Sequence, residues 1–191
     1  MADDPIRVII DQQQLDEIRN LIYSTRKGAD TALYRAINYG ARQGRKAAVD
    51  AMYAKVNLTK TKIRSETFVA FASISTLTAK MTIKNNLRGI EEFSANETNN
   101  GVTFRIWRDG KRERYRHAFK ATMPGSSTER VYERNIEHGD YDGRFPVRRK
   151  FGPGIATVFD ETDGVEEKTQ TTAAAKMLTE LSRQINLLMG I

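Results

Sequence analysis

His138, Asp140 and Asp142 fall in one short run, His138-Gly139-Asp140-Tyr141-Asp142. An imidazole beside two carboxylates can hold a divalent cation, and a cation held there can activate water, the chemistry of a small metal-dependent nuclease. The ligands crowd a single loop and no second cluster completes the coordination shell, so an ordinary polar turn accounts for the same residues. His117, the other histidine, precedes Ala118-Phe119 in a predicted strand. No nucleophile elbow, phosphate-binding loop, dinucleotide fingerprint or His-Glu-x-x-His pattern occurs. The absence of cysteine removes disulfides, thiolate zinc sites and cysteine nucleophiles. The chain is therefore read as a non-enzyme, with no catalytic residue, no metal ligand and no cofactor assigned.

A second group of residues suits binding. Arg105, Trp107, Arg108, Lys111, Arg112, Arg114 and Arg116 lie close together, with Tyr115 among them. Arginine neutralises phosphate and aromatic rings stack on bases, so a protruding ribbon of this composition could line a DNA channel or meet an acidic neighbouring subunit. The plain alternative is a solvated hairpin tip. Arg35, Arg42, Arg45 and Lys46 form a weaker candidate of the same kind on a helix.

The formal charge of +7 is unevenly spread over the 191 residues. Residues 27–65 carry +7 and 101–150 carry +6, while 1–26, 66–100 and 151–191 carry −2, −1 and −3. Two basic blocks with mildly acidic ends suit a nucleic-acid partner or head-to-tail contact between copies of the chain. Length favours one domain spanning 1–191, with residues 1–10 expected as a flexible arm. No stretch is long and apolar enough for a membrane span and the first residues lack a secretory signal, so a cytoplasmic protein, with no membrane partner, is expected at synthesis.

Several elements must position these groups. Leu15, Ile18, Leu21 and Ile22 recur at helical steps in a first short helix beginning at Asp11. A longer helix is predicted over Ala29 to Lys55, with Leu33, Ala36, Ile37, Gly40, Ala41, Gly44, Ala47, Ala48 and Ala51 along one side. Gly40 and Gly44 each cost about 1 kcal/mol relative to alanine, which argues for a close contact that needs them, either in the core or across a subunit boundary. Thr59 can cap a short helix to about Ser65.

Strand character follows in Thr67 to Ser73 and in the alternation of Leu77, Ala79, Met81 and Ile83. Residues 85–100 show no period beyond a helical turn near Ile90 to Phe93, and read as a long loop. Val102 to Trp107 alternates cleanly before Asp109-Gly110, predicting a tight hairpin whose return strand runs from Lys111 to Met123. Pro124-Gly125 breaks that strand, and Arg130 to Arg134 and Phe145 to Lys150 are shorter strands around a turn. A last helix is predicted from Val165 to Met189, with Ala174, Met177, Leu178, Leu181, Ile185 and Leu188 as its stripe. The expected fold class is α+β: a mainly antiparallel sheet with a long N-terminal and a C-terminal helix packed on it. Mobility is expected in residues 1–10, 86–100 and 124–130.

Three blocks carry a resemblance. Ala32-Leu33-Tyr34-Arg35-Ala36-Ile37-Asn38 with Ala41-Arg42 and the stretch from Tyr53 to Leu58 forms the first. The second is Gly101-Val102, Ala118-Phe119, Met123 and Val131-Tyr132-Glu133-Arg134. The third is Arg144-Phe145-Pro146-Val147 followed by Phe151-Gly152-Pro153. In this order they resemble the bacteriophage minor tail protein Z family, the tail completion proteins of lambda-like siphophages. The chain departs from the family pattern with three residues between Tyr53 and Asn57, Tyr132 for phenylalanine, and Gly154 for serine.

The resemblance implies a structural virion protein at the head-proximal end of a phage tail, needed for head–tail joining and DNA delivery, with a fold like that of tail-completion and neck proteins. It implies as partners the tail terminator, the tail tube or tape-measure end and the head–tail connector. It further implies a homo-oligomer, with a hexameric ring as the guess, and possible contact with genomic DNA. Ala118, Phe119, Arg134, Pro146, Gly152 and Pro153 would be structural positions, Gly152 to Gly154 fixing a chain reversal between sheet and last helix. The alternative is a basic nucleic-acid-binding module outside the virion.

Overall fold

The computed structural model describes residues 28–134 and 147–189. The expected arm, the helix from Asp11, Pro146 and the candidate cluster His138, Asp140 and Asp142 lie outside the described residues.

The long helix forms over Ala29–Lys55 (α1), and Val165–Met189 forms the last helix (α4). The two pack antiparallel, since Gly28 faces Leu188 while Gly44 faces Thr169 and Ala173. A Cβ on Gly40 would lie 2.7 Å from the Ala173 carbonyl oxygen and 2.8 Å from the Met177 Cβ. One on Gly44 would lie 3.0 Å from the Ala173 Cβ. The small residues therefore admit the backbone of another helix, and that helix belongs to the same chain. On α4 the buried face runs through Val165, Thr169, Ala173, Met177 and Leu181. Ala174 and Leu178, expected in the stripe, are exposed because α1 and the segment around Ala72 cover only the face of α4 that carries Met177 and Leu181.

Thr59 caps Lys60–Ser65 (α2), its hydroxyl accepting from the Lys62 N–H. Thr67–Ala70 (β1) and Lys80–Ile83 (β2) pair antiparallel. They are shorter than expected because the Asn38 side chain captures the next backbone unit. Its amide nitrogen donates to the Ala72 carbonyl at 2.9 Å and its oxygen accepts from the Ala72 N–H at 2.7 Å.

Residues 85–100 are structured rather than a long loop. They hold Leu87–Gly89 (β3), a 3-10 turn over Ile90–Glu92, and Asn96–Thr98 (β4). Ile90 and Phe93 are completely buried there. These strands are three residues long, too short to show a periodicity of two, which is why the sequence reads as a loop. Residues 124–129 form a largely exposed turn segment and Arg130 already belongs to a strand.

Gly101–Phe104 (β5) pairs with β4 and with Glu113–Tyr115 (β6). The hairpin exists, but its connection is long rather than a two-residue turn at Asp109-Gly110. The backbone after Phe104 bonds elsewhere: Arg105 N–H to Phe93 O, Asn57 N–H to Ile106 O, Arg108 N–H to Lys55 O. The return strand is also broken. Arg116 and His117 form a turn, and Ala118–Ala121 (β7) joins a separate sheet with Arg130–Arg134 (β8) and Val147–Arg149 (β9).

Phe151–Gly154 (β10) pairs with β3, with a register shift that passes over Pro153, as proline's missing N–H requires. Gly152 and Pro153 thus lie in a bulged strand, not in a chain reversal. Ile155–Asp160 (α3) leads on to α4.

All strand pairings among the described residues are antiparallel, and the fold class is α+β. A central core of Met52, Val56, Ile63, Phe93, Ile155 and Val158 joins helices to strands. A strand core of Ile90, Val102, Phe104, Ala118 and Val131 lies beyond it.

Candidate interaction site

The basic hairpin residues divide into two groups. Arg108 closes the C-terminus of α1: its Nε donates to the Tyr53 carbonyl at 2.8 Å and the Val56 carbonyl at 3.0 Å, and its guanidinium stacks 4.3 Å from the Tyr53 ring centroid. A cation on the free carbonyls of a helix end is a stabilising cap. Arg112 donates to the Ser94 and Thr103 carbonyls. Trp107 is half-buried against the central core and bridges to Val56, and Arg105 is half-buried with its Nε enclosed. Lys111, Arg114 and Arg116 are exposed, and their side chains make no hydrogen bond or ion pair among the described residues. Arg108 and Arg112 thus tie backbone segments together and Trp107 packs against the core, while Lys111, Arg114 and Arg116 are surface charges.

The helix cations do converge. Arg42, Arg45 and Lys46 of α1 face Lys60 and Arg64 of α2 across a groove of about 530 Å³, which Asp50 also lines. Helical geometry places them: Arg42 and Lys46 sit two residues from Gly44, about 200° round α1 and so on the side away from α4. The break at Asn57-Leu58 then lays α2 alongside this outer face. Lys60 pairs with Asp50 at 2.6 Å, offsetting the one carboxylate in the lining. Arg45 donates to the Arg64 carbonyl at 2.9 Å, and its Nε is enclosed with no partner among the described residues. Burial pushes the Arg45 guanidinium below its ordinary value, and the charge of Arg64 adds to this. Like charges so crowded favour an anion in the groove. Arg42 stacks 4.9 Å from the ring centroid of Phe71, an exposed aromatic on the groove's flank.

A second charged surface lies where α3 meets α4. Asp160, Asp163, Glu166 and Glu167 line an open concavity of about 550 Å³. None has an ion pair among the described residues. Glu166 and Glu167 in the first turn of α4 also complement its dipole.

Lys60 and Arg64 were not singled out in the sequence, although the +7 of residues 27–65 signalled them. His117 sits exposed in the turn after β6 rather than within a strand. No group of three or more metal-capable side chains occurs among the described residues. Of the structural positions the resemblance implied, Ala118 is buried in the strand core, and Phe119 packs 6.3 Å from Tyr132 with Arg134 stacked over it. Gly152 abuts the Phe93 ring, where a Cβ would lie 2.6 Å from its Cε2. Comparison with protein-family models, with curated proteins and with solved structures finds no match.

Proposed function

We propose that the chain is a structural virion protein that completes the head-proximal end of a phage tail. The observation that carries this reading is the ordered set of sequence blocks resembling the minor tail protein Z family, together with where their residues sit. Ala32, Leu33, Ala36 and Ile37 are buried. Asn57 donates to the Arg105 carbonyl and so ties the exit of α1 to the chain leaving β5. Gly101 holds φ +104, and a Cβ there would lie 2.1 Å from the Tyr115 carbonyl oxygen. These described block residues thus occupy core positions and joints between elements, where spacing and residue size are constrained by packing. A chain with such joints and two oppositely charged surfaces suits a role exercised through interfaces. Its partners on this reading are neighbouring tail proteins, the head–tail connector and further copies of itself, with genomic DNA passing nearby.

The test is to label the carboxyl terminus and image intact particles of the encoding phage by electron microscopy. Label confined to the head-proximal end of the tail is the expected result. Particles without label would remove the reading.

The groove favours a second reading, a nucleic-acid-binding module outside the virion, because five cations line it against one carboxylate. That reading requires duplex affinity falling steeply with salt and lost on reversing Arg42 and Lys46.

A further inference from the structure

We infer that the groove between α1 and α2 receives the acidic α3–α4 corner of a second copy of this chain, in a head-to-tail contact. The inference rests on the assembly reading above and deepens it by naming the partner and both surfaces.

Three observations converge. The groove is concave and keeps a surplus of positive charge, since Lys60 already answers Asp50 and nothing described answers Arg42, Lys46 or Arg64. The α3–α4 corner presents Asp160, Asp163, Glu166 and Glu167, carboxylates of the opposite sign, unpaired among the described residues. The two surfaces also lie on opposite sides of α1. Helix α4 packs on the face bearing Gly40 and Gly44, whereas Arg42 and Lys46 project about 200° away.

The last point decides the symmetry. Surfaces on opposite sides of a helix cannot meet within one chain, nor can two copies satisfy both contacts at once in a two-fold pair. Each copy then offers its groove to one neighbour and its corner to another, which is heterologous association. Duplex DNA would use the groove but leave the acidic corner without a role.

The experiment is sedimentation velocity of the full chain over a range of concentrations. Wild type should self-associate at about 50 mM salt and weaken about tenfold or more by about 500 mM, as screened charge pairs do. The R42E/K46E variant and the E166K/E167K variant should each be monomeric, with affinity lowered roughly a hundredfold or more by like-charge contact. All four positions are exposed, and a retained far-ultraviolet circular dichroism spectrum with cooperative melting would show that both variants fold. Mixing the two variants should restore association, because each then supplies the surface that the other's reversal requires.

A wild type that stays monomeric, a reversal that leaves association intact, or a mixture of folded variants that does not assemble would overturn the inference. So would duplex DNA retained by the groove with self-association unaffected by its charge. Head-proximal label on particles together with monomers in solution would remove this contact and leave the tail reading standing.

Discussion

Asn38 is a polar residue at a core position, and its worth lies in what it satisfies. Its carboxamide takes both the N–H and the C=O of Ala72, as a neighbouring strand would, and so holds the chain leaving β1 against α1. Asn38→Ala would leave two backbone groups unpaired, at a cost of about 2–3 kcal/mol, read as a lower urea midpoint. Glu180 shows the same economy in a charged group. Hydrogen bonds from Arg183 and Gln184 hold its carboxyl at about 2, below the ordinary glutamate value of 4.5. A depressed acid favours the folded state while ionised, so this stability is present above about pH 4.5 and is lost as pH falls through about 2. Glu180→Gln should therefore lower stability near neutral pH, and its gap from wild type should narrow toward about pH 2. Urea midpoints across that range decide it, a constant gap being the contrary result. The role of Asn38 was not legible in the sequence, because folding alone brings Ala72 into reach, whereas Arg183 and Gln184 stand three and four residues from Glu180 on one helix.

At the scale of elements, the α1–α4 pair is governed by Gly40 and Gly44. Leucine in place of Gly40 would drive a side chain into the Ala173 carbonyl and Met177, and the helices would have to separate. Gly40→Leu gains about 1 kcal/mol of helix propensity but should cost about 1–3 kcal/mol or more from overpacking, so the net effect is destabilising. Thermal melting would show it, and a stabilised variant would refute the close contact. The lengths of α1, α2 and α4 follow from sequence, since each has a clear period, a stop or a cap. The hairpin was legible as an element but not in its loop. Its backbone donors and acceptors are taken by Phe93, Asn57 and Lys55, bonds that no local pattern reports.

Across the whole molecule, Trp107 stands at the junction of helices and strands. It bridges to Val56 at the end of α1 and packs on the central core, beside the Arg108 cap. As the single tryptophan it reports on that junction. Urea unfolding followed by its fluorescence and by far-ultraviolet circular dichroism should give coincident transitions, the signature of one cooperative unit. Separated transitions would show that the strand core and the helix pair unfold independently. The charge layout also belongs to this scale. Basic residues from two helices share a groove, and acidic residues from two others share a corner.

The sequence by itself determined the fold class, the positions of helices α1, α2 and α4, and the need for a close contact at Gly40 and Gly44. These rest on periodicity, capping and propensity, which act over a few residues and are written in order along the chain. It also marked residues 27–65 as strongly basic. Only the tertiary structure decided which cations act together. Arg108 and Arg112 look like binding residues in the sequence, yet Nε of the first and one terminal nitrogen of the second donate to backbone carbonyls of the fold. Arg45 and Arg64 are nineteen residues apart and meet because α2 folds back on α1. A guanidinium carries the same charge in either place. What it is available to do depends on which acceptors lie within about 3 Å, and that distance is set by packing between segments remote in sequence.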